Sequence, residues 1–135
     1  MIDFPSSLLI CLEGLRLHAY QDSGEVWTIG VGHIKDVKQG DTCTYQQALE
    51  WLQEDGSYLY SKVTSLDLLS QAAYISFGYN CGVGSLLGVL SGSGSISNPI
   101  HTTDREGIVQ PGLVARRNLE LSLLTLAQQF TQKEQ

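Results

Sequence analysis

The sequence predicts an α+β fold that is mainly helical and carries one small antiparallel sheet. Two short runs of strand-forming residues flank a turn between positions 15 and 29, and several later segments place apolar residues at helical spacing. A chain of 135 residues, 42% of them hydrophobic, is long enough for one domain with a core and too short for two ordinary ones.

A short helix is predicted over residues 6–12. Pro5 fits the first turn of a helix, and Gly14 is a natural place for the helix to end. Glu13 therefore falls at a helix C-terminus, where a carboxylate meets the negative end of the helix dipole. That position is unfavourable for an acid with a purely structural role.

The sheet is predicted between residues 15 and 37. Residues 15–20 alternate apolar and polar side chains, residues 22–25 are turn formers, and residues 26–29 are β-branched or aromatic. Gly30 and Gly32 predict a tight or bulged return after the second strand.

The rest of the chain predicts helices separated by one long loop. Thr44 opens a capping box and a helix that runs to about residue 63, and Ser65 is expected to cap a second helix that ends near residue 79. A short helical piece follows, and residues 91–112 are loop-like, with the Gly/Ser-rich segment 91–110 expected to be the most mobile internal region. A final helix over 113–130 is expected to bury its apolar stripe, formed by Leu119, Leu123, Leu126 and Phe130.

Composition restricts the partners. The net charge of −6 argues against nonspecific binding to nucleic acid, and it also argues against electrostatic capture by an anionic cell wall. The longest apolar run, residues 8–12, is too short for stable membrane insertion, and no secretory signal precedes it. If the target lies outside the cytoplasm, another component must carry the chain there.

The three cysteines predict neither a metal site nor a complete disulfide framework. Cys11, Cys43 and Cys81 are odd in number and form no CxxC or Cys/His cluster. Cys11 and Cys81 stand in apolar surroundings, which favours buried free thiols. A cysteine nucleophile stays open as an alternative, although no histidine stands in an obviously partnered position.

Three residues carry the chemistry that the sequence suggests. Glu13, Asp22 and Thr28 fall close together along the chain, at a helix end, in a turn and on a strand. Cleavage of a glycosidic bond needs a proton donor to the leaving oxygen and a second carboxylate across the sugar. Apolar walls would favour a protonated Glu, a turn would keep Asp ionised, and a Thr hydroxyl would orient a water. Taken singly, each residue is explained better by an ordinary structural role.

Segment 13–33, EGLRLHAYQDSGEVWTIGVGH, resembles the signature of the bacteriophage-type lysozymes, or endolysins, a family of glycoside hydrolases. In that signature a Glu, eight residues, an Asp, five residues and a Thr make up the active site, and Glu13, Asp22 and Thr28 fit this spacing without insertion. The resemblance covers most of residues 9–82 and, less closely, residues 112–124.

The resemblance implies a lysozyme-like fold of two lobes, a sheet-bearing lobe over about 13–43 and a helical lobe over about 44–135. It implies a monomeric muramidase that cleaves the β-1,4 bond between N-acetylmuramic acid and N-acetylglucosamine in peptidoglycan glycan strands, with inversion and without metal or cofactor. Such an enzyme is made in the host cytoplasm and acts in the periplasm or cell wall. A holin or a delivery apparatus would provide its export route.

Further binding residues follow from the same resemblance. Segment 76–82 is similar to the far wall of the family's groove, which makes Asn80 a partner for sugar N-acetyl groups and Tyr79 a packing surface. Segment 112–120 is similar to the family's arginine-bearing helix start, so Arg116 would face the groove and pair with Glu13 or substrate. A core role for Tyr79 and a solvated position for Arg116 are the alternatives. His33 is expected to form a structural hydrogen bond.

The sequence also departs from the family pattern. Val31 replaces a frequent Tyr, Glu25 a frequent Gly, and segment 86–111 has no counterpart in the expected second lobe. Three other functions therefore stay open: a catalytically weak wall-binding module, an antibacterial or tail-associated lysozyme, and a cytoplasmic helical interaction domain.

Overall fold

The computed structural model describes residues 2–134 and confirms a mainly helical α+β fold with a small antiparallel sheet. The elements follow in the order α1 (Phe4–Glu13), β1 (Arg16–Gln21), β2 (Trp27–Gly30), α2 (Tyr45–Val63), α3 (Leu68–Cys81), α4 (Val83–Ser91), a 3-10 helix (Pro99–Thr102) and α5 (Pro111–Glu134). The chain divides into two compact units, Met1–Tyr58 and Leu59–Gln135. The lobe bounds that the family resemblance implies stay a prediction.

Helix α1 ends where the sequence predicts. Asp3 caps its start, since the Asp3 Oδ1 accepts a hydrogen bond from the Ser6 backbone N–H at 2.8 Å. Gly14 follows the last residue with φ +79°, a conformation that favours glycine. Glu13 is therefore the final residue of the helix, and its side chain is half-buried.

Strands β1 and β2 form the predicted antiparallel hairpin. Tyr20 lies opposite Thr28 and Gln21 opposite Trp27, with an irregularity in the pairing between Arg16 and Tyr20. The predicted return after β2 is also present, because the backbones of Ile29 and His33 exchange two hydrogen bonds of 2.9 Å each. Both glycines within this return have positive φ angles, 65° and 70°.

The first unit packs the end of β2 against the start of α2. A Cβ atom on Gly30 would come within 3.3 Å of the Ala48 Cβ, so the strand and the helix approach closely at a glycine. His33 stacks on Trp51 with ring centroids 4.4 Å apart, and its Nδ1 lies 2.7 Å from the Asp55 Oδ2. The structural hydrogen bond expected of His33 is therefore present.

The second unit is built around α3, which packs against α4 and α5. Its buried residues include Ala73, Ile75 and Phe77, each fully enclosed. A Cβ atom on Gly78 would lie 2.8 Å from the Leu59 Cδ2 and 3.0 Å from the Leu86 Cδ2. A glycine at this position therefore permits the close approach of α3 to its neighbours.

The start of α3 differs from the prediction. The cap is Asp67, not Ser65: the Asp67 carboxylate accepts hydrogen bonds from the Ser70 backbone N–H at 2.9 Å and from the Ser70 hydroxyl at 2.7 Å. Ser65 falls in the turn that follows α2, where the Leu66 N–H bonds to the Val63 carbonyl. Ser and Asp are both good caps. Ser65 is not used because it lies in the turn that ends α2.

The stripe predicted as core on α5 is only partly buried. Leu123 is buried, but Leu126 and Phe130 are 43% and 58% exposed. The buried face instead runs from Arg117 and Glu120 through Leu123 to Ala127. The apolar pattern did not predict this face, because the first half of the buried face consists of Arg117 and Glu120, which pair with each other.

Segment 91–112 contains more local structure than the sequence suggests. Ile96 is buried, and the 3-10 helix Pro99–Thr102 contacts α5. Thr103 and Val109 then form an antiparallel bridge around a tight turn. The greater mobility expected of residues 91–110 stays a prediction.

The three cysteines are free, and the burial that the sequence predicts for Cys11 is wrong. Cys11 is exposed, because α1 buries the face that carries Pro5 and Leu9. Cys81 is partly covered. Within residues 2–134, no helix combines the length and the apolar character that a membrane span requires.

Candidate active site

The three residues predicted to be catalytic all belong to the first unit. Glu13 ends α1, Asp22 follows β1 and Thr28 lies on β2. Asp22 is exposed, Thr28 is 3% exposed and Glu13 is intermediate. Helix end, turn and strand thus provide three different degrees of solvation for the three side chains.

The turn after β1 fixes Asp22 through one carboxylate oxygen. The Asp22 Oδ1 accepts hydrogen bonds from the Gly24 N–H at 2.8 Å and from the Val26 N–H at 2.9 Å. Glu25 closes the turn in the left-handed region, with φ +63°. The Asp22 Oδ2 has no hydrogen-bond partner among residues 2–134. One oxygen therefore holds the carboxylate in place while the other stays available to water or substrate.

Val26 links Asp22 to Thr28. Its carbonyl accepts hydrogen bonds from the Asp22 N–H at 3.0 Å and from the Thr28 hydroxyl at 2.9 Å. Because the Thr28 proton is committed to this carbonyl, the hydroxyl oxygen presents lone pairs to any further partner. A water beside Thr28 would therefore donate a hydrogen bond to it.

The same turn occurs again at Asp104, with one difference. The Asp104 Oδ1 accepts from the Glu106 N–H and the Ile108 N–H, both at 2.9 Å, and Gly107 takes the left-handed position with φ +79°. Here, however, the Oδ2 accepts a hydrogen bond from the Gln110 Nε2 at 3.0 Å. Asp104 thus has both oxygens engaged by protein groups, whereas Asp22 has one.

Tyr20 stands among the charged groups of this site. Burial raises the pKa of its phenol, the Arg16 guanidinium opposes that rise, and the carboxylates of Glu13 and Asp22 add to it. The Arg16 guanidinium carbon lies 4.4 Å from the centre of the Tyr20 ring. The carboxylates of Glu13 and Asp22 therefore both raise the pKa of the same phenol.

In the second unit, the structure fixes the orientation of Asn80. The Arg117 Nη1 donates a hydrogen bond of 2.8 Å to the Asn80 Oδ1. Since a guanidinium only donates, the amide oxygen is turned towards Arg117 and the NH₂ group is left for other acceptors. Asn80 is exposed and Tyr79 is intermediate, so the proposed role of each stays a prediction.

Arg116 is not the solvated arginine of the alternative interpretation, because it is 8% exposed. Its Nε donates to the Ser76 hydroxyl at 3.2 Å, and its Nη2 donates to the Ser76 carbonyl at 3.0 Å. A role for Arg116 towards substrate stays a prediction.

Sequence reasoning missed the charged network beside Arg116. The Arg117 Nε and Nη2 donate to the two Glu120 oxygens at 2.6 and 2.9 Å, and the Ser76 hydroxyl donates to the Glu120 Oε2 at 2.5 Å. Arg117 and Glu120 are 2% and 0% exposed. The spacing of Arg117 and Glu120, three residues apart on a helix, was the available signal.

Cys81 does not have the surroundings of a nucleophile. Burial raises the pKa of its thiol, although the neighbouring Arg117 and Arg116 oppose that rise. Burial also lowers the pKa of His101, and Arg117 lowers it further. Among residues 2–134, no three potential metal ligands lie grouped together.

Comparison with known proteins identifies the family. The family model described as phage lysozyme matches residues 11–120 of this chain. This match includes segment 86–111, which the sequence pattern alone left unmatched. An endolysin of Acyrthosiphon pisum secondary endosymbiont phage 1 is 49% identical over 43 residues, which are 32% of this chain and 30% of that protein. The matched part thus spans about a third of that relative.

Solved structures extend the likeness to the whole fold. The muramidase domain of SpmX from Asticaccaulis excentricus is 25% identical, with a TM-score of 0.70 and coverage of 91% of this chain and 96% of that one. The endolysin from Escherichia coli O157:H7 phage FAHEc1 is 24% identical, with a TM-score of 0.72 and coverage of 91% and 92%. The active form of the P1 phage endolysin Lyz is 19% identical, with a TM-score of 0.68 and coverage of 90% and 83%. The predicted lysozyme-like fold is thereby confirmed.

Proposed function

Since this chain belongs to the phage lysozyme family, we propose that it is a muramidase that hydrolyses the β-1,4 bond between N-acetylmuramic acid and N-acetylglucosamine in peptidoglycan. The family match confirms the assignment to lysozyme-type glycoside hydrolases that the sequence suggested. The observation that supports turnover is the link through Val26, which joins Asp22 to Thr28 and leaves one oxygen of Asp22 open.

Glu13 is the proposed general acid. It stands half-buried at the end of α1, and two residues separate it from the hairpin that carries the other two groups. In the proposed reaction Glu13 protonates the glycosidic oxygen as the bond to the sugar breaks.

Asp22 and Thr28 are proposed to orient the attacking water. The water would donate one hydrogen bond to the open Asp22 Oδ2 and the other to the Thr28 hydroxyl oxygen. Its lone pair is then free to attack the anomeric carbon, and Asp22 takes the proton as general base. Because the turn holds both side chains through Val26, the two groups that would bind the water are in place before the substrate arrives. Inversion at the anomeric carbon follows from attack by water.

Three further residues are proposed to contact substrate. The outward NH₂ group of Asn80 would donate to the carbonyl oxygen of an N-acetyl group, and Tyr79 would pack against a sugar face. Arg116 is the third proposed contact, although its guanidinium already bonds to Ser76. No metal or cofactor enters this mechanism.

The proposed setting is lysis of a bacterial host by a phage or prophage endolysin. The protein would be made in the host cytoplasm and would act as a monomer on peptidoglycan in the periplasm or cell wall, carried there by a separate export component. A tail-associated lysozyme or an antibacterial effector has the same chemistry and differs only in delivery. A catalytically weak wall-binding module is less favoured, since such a module has no need for the open oxygen of Asp22.

Clearing of chloroform-permeabilised Gram-negative cells tests the proposal. The wild-type protein should lower the turbidity, and Glu13→Gln should reduce the rate by about 10²- to 10⁴-fold, because Gln keeps the shape but has no acidic proton. Glu54→Gln is the matched control, the same change at an exposed site on α2. Clearing by Glu13→Gln at the wild-type rate would show that the assignment of the acid is wrong.

A further inference from the structure

Tyr20 is a member of the signature segment that the mechanism above does not use. It lies directly opposite Thr28 in the hairpin. Residues opposite each other in an antiparallel pair point to the same face, with Cβ atoms about 4.5–5.5 Å apart. Asp22 follows Tyr20 by two positions, and its carboxylate acts electrostatically on the Tyr20 phenol. Tyr20 therefore stands beside both residues that are proposed to hold the water.

The ring of Tyr20 is held in place from one side. The Arg16 guanidinium carbon lies 4.4 Å from the ring centre, which is a cation–π contact within one strand. Arg16 has no ion-pair partner among the described residues, so this stacking is its main interaction. The strand pairing is irregular between Arg16 and Tyr20, the two residues in contact.

The hydroxyl of Tyr20 is not used by the protein. It has no hydrogen-bond partner within residues 2–134, although the residue is half-buried. The charged groups that act on it are Arg16 from its own strand, Glu13 from α1 and Asp22 from the turn. Together with burial, the two carboxylates raise the pKa of the phenol, so it keeps its proton at every pH at which a lysozyme would act.

From this placement we propose that Tyr20 is a substrate-binding residue at the point of cleavage, whose hydroxyl donates a hydrogen bond to an oxygen of the N-acetylated sugar held between Glu13 and Asp22. The inference rests on the proposed function and extends it by one residue. The ring, stacked under Arg16, fixes where the hydroxyl points. Tyr20 also lies opposite Thr28 in the hairpin, on the same face of the sheet.

Binding of a soluble oligosaccharide of alternating N-acetylglucosamine and N-acetylmuramic acid tests the inference. The dissociation constant is measured by calorimetry in the Glu13→Gln background, so that the ligand is not consumed. Tyr20→Phe removes one oxygen and keeps the ring, and the loss of one hydrogen bond should weaken binding by roughly 3- to 10-fold. The melting temperature should stay within about 2 °C of the parent, because the hydroxyl bonds to no protein group.

Tyr45→Phe is the matched control, the same change at an exposed tyrosine at the start of α2. Arg16→Gln is the second test, because it frees the ring without changing the phenol and should also weaken binding. A Tyr20→Phe dissociation constant within 1.5-fold of the parent (about 0.2 kcal/mol) would overturn the inference, and so would equal weakening by Tyr45→Phe.

The lysis assay separates this inference from the proposed function. If the wild-type protein clears cells and Tyr20→Phe clears them with unchanged kcat/KM, only the role of Tyr20 is refuted. If the wild-type protein does not clear cells but Tyr20→Phe still weakens oligosaccharide binding, the hydrolase proposal fails and the role of Tyr20 in sugar binding stands.

Discussion

Replacing Glu120 by Gln should destabilise the second unit more than an ordinary surface change would. The Glu120 carboxylate is fully buried, and it accepts hydrogen bonds from Arg117 at 2.6 and 2.9 Å and from Ser76 at 2.5 Å. Without its charge, the guanidinium of Arg117 is left buried and unpaired. Removal of one partner from a buried ion pair costs about 3–5 kcal/mol, and Gln, which still accepts one hydrogen bond, should fall near 3 kcal/mol.

That loss is large relative to the stability of a small domain. A chain of 135 residues has an unfolding entropy near 0.28 kcal/mol/K, so about 3 kcal/mol lowers the melting temperature by roughly 10 °C. Thermal and urea unfolding followed by far-UV circular dichroism at pH 7 measure the effect. Glu54→Gln, the same change on the exposed surface of α2, should shift the melting temperature by less than about 2 °C.

A double variant identifies the cause. If the unpaired charge is responsible, Arg117→Met combined with Glu120→Leu should recover most of the stability, because apolar side chains of similar volume replace the pair. A Glu120→Gln protein that melts within about 2 °C of wild type would refute the assignment of a buried ion pair. The reasoning about charge would also fail if the double variant were less stable than Glu120→Gln.

Three further changes address the active-site turn, the cap of α3 and the mechanism. Glu25→Gly should stabilise the protein by up to about 1 kcal/mol in urea unfolding, because Glu25 has φ +63°; a loss of stability would contradict strain at this position. Asp67→Ala should cost about 1 kcal/mol at pH 7. Burial raises the pKa of Asp67, but hydrogen bonds from Ser70 and from the backbone of Asp67 and Leu69 together lower it more. The stabilisation by Asp67 is therefore fully present above the unfolded pKa of about 3.9 and should be lost as the pH falls through the folded pKa. Hydrolysis should release the α-anomer, seen by NMR as the first product, with the Glu13 and Asp22 carboxyl groups about 6.5–9.5 Å apart. Thr28→Glu should then place a nucleophile where the water stood and trap a covalent sugar adduct; release of the β-anomer by the wild-type enzyme would overturn inversion.

The features that the sequence predicts correctly are local ones. Gly14 ends α1 directly after Glu13, and the turn at Asp22 is closed by hydrogen bonds that span no more than four residues. Side chains and backbone within a few positions determine these conformations, so the pattern of residues is sufficient to predict them. The position of the proposed acid and the shape of the catalytic turn both belong to this group.

The features that the sequence misses depend on residues far apart in the chain. Ser76 and Glu120 are 44 positions apart, yet they share a hydrogen bond of 2.5 Å in the interior. An apolar periodicity cannot indicate a buried face that begins with Arg117 and Glu120, and for this reason Leu126 and Phe130 were wrongly assigned to the core. The orientation of Asn80 was missed for the same reason, since Arg117 sets it from another helix.

The turns at Asp22 and Asp104 show how small the difference between a structural and a reactive carboxylate is. In both, one oxygen accepts two backbone hydrogen bonds, and a residue with positive φ closes the turn. At Asp104 a glutamine three positions beyond the turn's positive-φ glycine satisfies the second oxygen. The residue at the equivalent position after Asp22 is Thr28, whose hydroxyl donates to the Val26 carbonyl at 2.9 Å, and the Asp22 Oδ2 has no protein donor among residues 2–134. An exposed carboxylate oxygen that lacks one neutral hydrogen bond costs little stability, because water replaces the donor. In the proposed mechanism that water is the reactant, so the absence of one side-chain contact would leave room for the nucleophile beside Asp22.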